Sequence, residues 1–126
     1  MPIIDHNKIT ESPWRPNYRK WNITQSNDGT TSSDLSYSEV GVGTGAPLHK
    51  HESDELIVVL EGEIEAKLGD ETQLVNKDHT LVIPPNTPHG IKNVGKNKAK
   101  ILTFLVNLGS SVDQDEILAY FVWAIL

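Results

Sequence analysis

From residue 34 onward, apolar and polar residues alternate in short runs broken by turn residues, the habit of an all-β sandwich or barrel. The clearest stretch is Ile64, Ala66 and Leu68 set among Glu63, Glu65 and Lys67. A period of two sends alternate side chains to opposite faces, so this segment predicts a half-exposed strand. Gly69-Asp70 then supplies a two-residue hairpin loop into residues 72–75, glycine providing the positive φ that such turns demand. Upstream, Leu35 and Tyr37 fall on one parity and Val40 and Val42 on the other; a bulge or bend near Glu39 would reconcile them. Residues 56–60 are continuously apolar and predict a strand buried on both faces, turned by Glu61 and Gly62. Further strands are predicted over 80–83, stopped by Pro84-Pro85, and over 91–94 and 101–106, separated by a turn at 95–98. No helical periodicity appears between residues 34 and 106.

The two ends read differently. Residues 1–33 are poorly periodic and interrupted by Pro2, Pro13, Pro16 and a polar stretch at 24–33, which predicts an N-terminal arm packed on a barrel. Trp14, Arg15, Tyr18, Arg19, Lys20 and Trp21 cluster in it, either lining a pocket mouth or anchoring the arm to the barrel wall. Asp113, Asp115 and Glu116 resemble the acidic first turn of a helix, whereas residues 117–126 are rich in β-branched and aromatic side chains, so helix and strand both stay open. In either form this end is apolar all round and is expected to meet a partner subunit, which predicts a homodimer. The expected division is an arm over 1–33, a barrel over 34–112 and an apolar C-terminal element over 113–126.

Composition narrows the chemistry. At 126 residues the chain predicts a single core. It has no cysteine, which removes disulfides, thiolate zinc sites, iron–sulfur clusters and cysteine nucleophiles; any metal must be held by histidine and carboxylate. A net charge of −6 opposes binding to nucleic acid, and Lys92, Lys96, Lys98 and Lys100 sit in a polar turn that reads as a solvated loop. The amino terminus has no apolar stretch of signal-peptide length, and no run reaches the ~20 apolar residues that span a bilayer. The expectation is a cytoplasmic protein with no membrane partner.

Candidate chemistry lies in residues 43–62. In a strand, His49 and His51 present two imidazoles to one space, and Glu55 has the same parity and can add an oxygen ligand. With Gly43 and Gly62 these residues fit the spacing G-x5-H-x-H-x3-E-x6-G at every fixed position. A chance match in a chain of this size is on the order of one in ten thousand or rarer. That spacing is the first signature motif of the cupin superfamily, which the chain therefore resembles. The second motif, G-x5-P-x-G-x2-H-x3-N, is resembled by residues 78–93, with Pro84, His89 and Asn93 in place and with Asp78 and Asn86 standing for its glycines. Asparagine is the best non-glycine residue in left-handed turns. Asp78 falls at a strand entry away from the ligands, so it bears on turn geometry more than on ligation.

The resemblance implies a double-stranded β-helix, or jelly-roll barrel, and implies His89 as a fourth ligand swinging in from another hairpin. Three imidazoles and a carboxylate suit divalent Fe, Mn, Ni, Cu or Zn, and an octahedral ion held by four protein ligands keeps two positions for water, dioxygen or a bidentate substrate. One carboxylate leaves about one net positive charge on a divalent ion, which favours an anionic or enolisable oxygen ligand. The expected function is a metal-dependent enzyme acting on a small molecule, a dioxygenase first, then an isomerase or lyase; the alternative is a non-catalytic module that binds or senses a small molecule. No general acid or base is identified. His6 and His79 read as surface or packing residues, Glu52 and Asp54 as solvated, and Asn93 as a support for the barrel wall near the site. Glycines 41, 43 and 45 read as bends of a crowded strand, since no helix follows them to cradle a phosphate.

Overall fold

The computed structural model describes residues 3–24 and 33–106. The strands are β1 Ser12–Arg15, β2 Tyr18–Asn22, β3 Ser33–Val40, β4 Gly45–His49, β5 Glu55–Glu61, β6 Glu63–Leu68, β7 Glu71–Asn76, β8 His79–Ile83, β9 His89–Asn93 and β10 Ala99–Val106. They form two antiparallel sheets, one of six strands in the order β1-β2-β3-β10-β5-β8 and one of four in the order β4-β9-β6-β7. From β3 to β10 the chain changes sheet at every connection except the β6–β7 hairpin. That alternation is a jelly roll, and it brings residues distant in sequence to the same end of the sandwich. Among the described residues the one helical turn is a 3-10 turn at His6–Lys8, and no helix is long and apolar enough to cross a membrane.

The core lies between the sheets. Val40, Ile57, Val59, Leu81, Ile83, Ala99 and Ile101 from the larger sheet meet Ile64, Ala66, Val75 and Ile91 from the smaller one. Ile64 and Ile101 are fully buried, and truncating a side chain so placed costs about 2–5 kcal/mol through lost burial and the cavity left behind. The alternation read at Ile64 and Ala66 is this inward row. Gly69 has φ +58 in the β6–β7 hairpin, the conformation its turn requires. Gly62, at φ +88 between β5 and β6, is held there by space as well: a Cβ would lie 3.0 Å from the Ala99 Cα.

Two strand expectations are corrected. Residues 56–60 are not buried on both faces; Ile57 and Val59 point inward, while Leu56 and Val58 are half-buried on the other face and Leu60 is exposed. No bulge interrupts β3, whose register with β10 runs unbroken from Val40↔Ala99 to Ser33↔Val106. Its inward row is Ser36, Ser38 and Val40, and the Leu35–Tyr37 parity faces outward, where Tyr37 packs on Trp21 with ring centroids 5.5 Å apart. Two of the three residues in the inward row are therefore small and polar. Residues 12–22, read from sequence as an arm, hold β1 and β2, and β2 pairs with β3 from Tyr18↔Val40 to Asn22↔Ser36. The C-terminal element over 113–126 lies outside the described residues.

Candidate metal centre

His49 is the last residue of β4, His89 the first of β9 and Glu55 the first of β5. His49 and His89 are direct cross-strand partners in the smaller sheet, and Glu55 opens a strand of the larger one. The site therefore sits at one rim, where the two sheets face each other. His51 does not share a strand with His49, as its spacing suggested, but lies in the β4–β5 connection. Its carbonyl accepts a 2.6 Å hydrogen bond from the Asn86 N–H, which ties this connection to the β8–β9 loop. Asn86 adopts φ +60 and Asp78 φ +69, so both non-glycine residues of the second motif take the left-handed conformation open to glycine.

The four side chains converge. One potential donor atom from each of His49, His51, Glu55 and His89 lies within 4.8 Å of all the others. Glu55 Oε2 is 3.0 Å from His51 Nε2 and 3.2 Å from His89 Nε2. The imidazole centroids are 4.4 to 5.2 Å apart. Glu55 and His89 are buried, at 7% and 1% exposure, while His49 and His51 are half-buried.

Second contacts fix the rings. His49 Nδ1–H donates to the Pro47 carbonyl at 2.7 Å, and His89 Nδ1–H donates to the Thr87 carbonyl at 2.8 Å. A carbonyl only accepts, so in the neutral ring of His49 Nε2 is left with the lone pair. Burial holds the His49 pKa down at about 4, so that ring is neutral at neutral pH. At Glu55 burial pulls the pKa upward, but hydrogen bonds from His51 and His89 outweigh it and hold the carboxyl at about 2, hence ionised.

The ionised Glu55 carboxylate thus lies within 3.2 Å of an imidazole nitrogen from each of His51 and His89, and His49 completes a set of donors that a shared cation could join. Two donors on one ion lie at most about 4.2 Å apart at ordinary metal–nitrogen distances, so a set already within 4.8 Å needs only side-chain adjustment, with no backbone rearrangement of the strands, to share an ion. The residues present fit a divalent transition metal, and the mixed nitrogen and oxygen set leaves its identity open.

The Cupin domain profile matches residues 36–105. The chain belongs to the cupin family. This cupin is 44% identical over 69 residues to an uncharacterized protein of Methanocaldococcus jannaschii, a match covering 54% of the chain and 55% of that relative. It thus spans about half the length of that curated relative, and under a quarter of several larger ones. Among solved structures it is similar to the polyketide cyclase RemF of Streptomyces resistomycificus, with a TM-score of 0.74, 22% identity and 98% of each chain covered. It is also similar to a predicted oxalate decarboxylase of Thermotoga maritima, with a TM-score of 0.75, 15% identity, and 84% of this cupin and 99% of that chain covered. At these identities the likeness is one of fold.

The other flagged residues fall elsewhere. His6, Glu52, Asp54 and His79 are exposed, outside the four-residue cluster. Asn93 is fully buried, but it ends β9 while His89 begins it, so it supports the wall at the opposite end of that strand from the site. Of the lysine cluster, Lys98 pairs with Glu39 at 2.9 Å and Lys100 with Glu61 at 3.3 Å. An open groove runs past Trp14, Arg15, Tyr18 and Arg19 but includes none of the four potential ligands. What sequence reasoning missed is the set of polar side chains on the inner face of β2, β3 and β10. Only the register between those strands shows which of them turn inward.

Proposed function

We propose that this cupin is a metal-dependent enzyme acting on a small molecule that reaches the ion through its own oxygen atoms. The observation that supports this is the convergence of His49, His51, Glu55 and His89 at the rim of the sandwich, with the rings of His49 and His89 oriented by backbone carbonyls. Such a shell of oriented donors is what tunes a metal for chemistry. When bound, the ion supplies a Lewis acid and a docking point for oxygen ligands. The chain's own part is to hold three imidazoles and one carboxylate in place, leaving about one positive charge for an anionic or enolisable guest.

Oxygenation of a chelating substrate is the first reaction class, with lyase or isomerase chemistry second. The second is favoured by the fold likeness to a polyketide cyclase and a predicted oxalate decarboxylase. We further infer a homodimer, on the strength of the apolar residues 117–126, and light scattering at two protein concentrations checks the pairing.

The test of the main reading is elemental analysis of protein purified without added metal, followed by reconstitution and an oxygen-consumption and product screen over diketones, thiols and sugar acids. About one ion per chain and turnover of at least one compound are expected. A metal content far below one per chain that reconstitution does not restore overturns the reading; full metal without any turnover leaves a binding module instead.

A further inference from the structure

We propose that Lys20 is a second anchoring point of the same site, holding a carboxylate at the far end of a substrate whose near end meets the metal; the preferred guest is a small dicarboxylic acid. This inference rests on the metal-centred reading above and adds to it the class of substrate.

The register carries the argument. Lys20 on β2 pairs with Ser38 on β3, and directly opposed residues of an antiparallel pair send their side chains to the same face. Ser38 is 2% exposed and belongs to the inward row of β3, so Lys20 also points into the sandwich. The same face carries Asn22 opposite Ser36, Ser36 opposite Thr103 on β10, and Asp34 opposite Leu105, which is itself opposite Glu55. A polar strip thus runs across the inner wall from Lys20 to the first residue of β5, where the metal cluster begins. Below it the same face is apolar, with Tyr18, Val40, Ile101 and Val59.

Lys20 is half-buried, and its Nζ lies 4.5 Å from the centre of the Trp14 ring, which fixes the stem and withholds water from one side. Burial lowers the pKa of this ammonium from its ordinary value, and the Glu55 and Asp34 carboxylates partly offset that cost. Among the described residues no ion pair is formed with it. Once a cation has engaged Glu55, that carboxylate no longer offsets the Lys20 charge, and the strip presents two positive ends, the metal and the ammonium, with hydroxyl and amide groups between them. A molecule carrying one anionic oxygen group satisfies only one end. A dicarboxylate satisfies both.

The experiment uses the full chain loaded with Ni(II), a redox-quiet probe, and calorimetric titration with malonate, succinate, glutarate and adipate, each beside its monomethyl ester. At least one diacid is expected to bind about 10- to 100-fold more tightly than its ester, the increment of one charge-assisted hydrogen bond in a shielded site. Lys20→Met and Lys20→Gln are expected to abolish that preference and Lys20→Arg to keep it. In all three, nickel content and thermal midpoint should match the parent, which separates a lost anchor from a lost fold. Equal affinity for every diacid and ester, or a preference that survives in Lys20→Met and Lys20→Gln, overturns the assignment of Lys20 while leaving the metal-centred reading intact. Failure of the parent chain to take up nickel or any other divalent ion overturns both.

Discussion

Asn93 offers the sharpest test of how the two sheets are held together. It is fully buried at the end of β9, and its side chain makes three hydrogen bonds at 2.9 Å: Nδ2 donates to the carbonyls of Val40 and Asn97, and Oδ1 accepts from the Gly95 N–H. The bond to Val40 crosses from the smaller sheet to the larger. Asn93→Asp keeps the shape and the acceptor for Gly95 but turns the two-proton donor into an oxygen aimed at two carbonyl oxygens. In the protonated form one O–H serves one carbonyl and the other goes unpaired, a loss of about 1–3 kcal/mol. In the ionised form both carbonyls are unpaired and a charge is buried among them, a loss of about 3–5 kcal/mol.

Burial and the two carbonyls raise the folded pKa of the new carboxyl above its unfolded value of about 3.9. The stability carried by its neutral form is therefore present below the unfolded pKa and is lost as pH rises through the folded one. With about 4 °C of midpoint per kcal/mol for a domain of this size, the variant should melt about 4–12 °C below the parent at pH 4.5 and about 12–20 °C below it at pH 8. Thermal unfolding followed by far-ultraviolet circular dichroism, parent and variant side by side at each pH, reads this directly. A variant that melts with the parent at both values, or whose deficit does not grow with pH, refutes the hydrogen-bond assignment.

Glu55→Gln preserves size but removes the one carboxylate of the cluster, and metal content measured by mass spectrometry should fall to below about one-tenth of the parent value while the fold persists. Asp78→Gly removes a side chain from a backbone held at φ +69 and should raise the thermal midpoint, by up to about 1 kcal/mol of stability; Asp78→Val at the same position should lower it. Burial, helped by its hydrogen bond to Glu39, pushes the Tyr37 hydroxyl up to about 12. Absorbance titration at the tyrosinate band should therefore show one of the three tyrosines ionising about two units late, and the stability tied to the neutral phenol should be lost between about pH 10 and 12. The same late step should be missing from Tyr37→Phe.

The four-residue cluster was legible because its members stand at the fixed spacings of two motifs that the chain resembles. His49, His51, Glu55 and His89 could be named with no knowledge of which strands pair. Strands with one wet face were legible for a similar reason, as at Ile64 and Ala66. Periodicity failed where both faces of a strand carry apolar residues for different reasons. Leu56 and Val58 cover the outside of β5 while Ile57 and Val59 fill the core, and the run reads as one block. It also failed on β3, where serines point inward and Leu35 and Tyr37 outward, reversing the usual sign of the pattern. The pairing of β2 with β3, and with it the inward course of Lys20, was hidden because contacts between strands more than a dozen residues apart leave no trace in local sequence.

Each donor stands at a strand terminus or in the connection between two strands, and none lies in the middle of a strand. The packed core and the candidate site are therefore nearly separate. Substitutions in the connections between strands at the rim should alter the site without loosening the isoleucines and valines of the core. A scaffold divided in this way is well suited to acquiring new reactions by drift, one loop at a time.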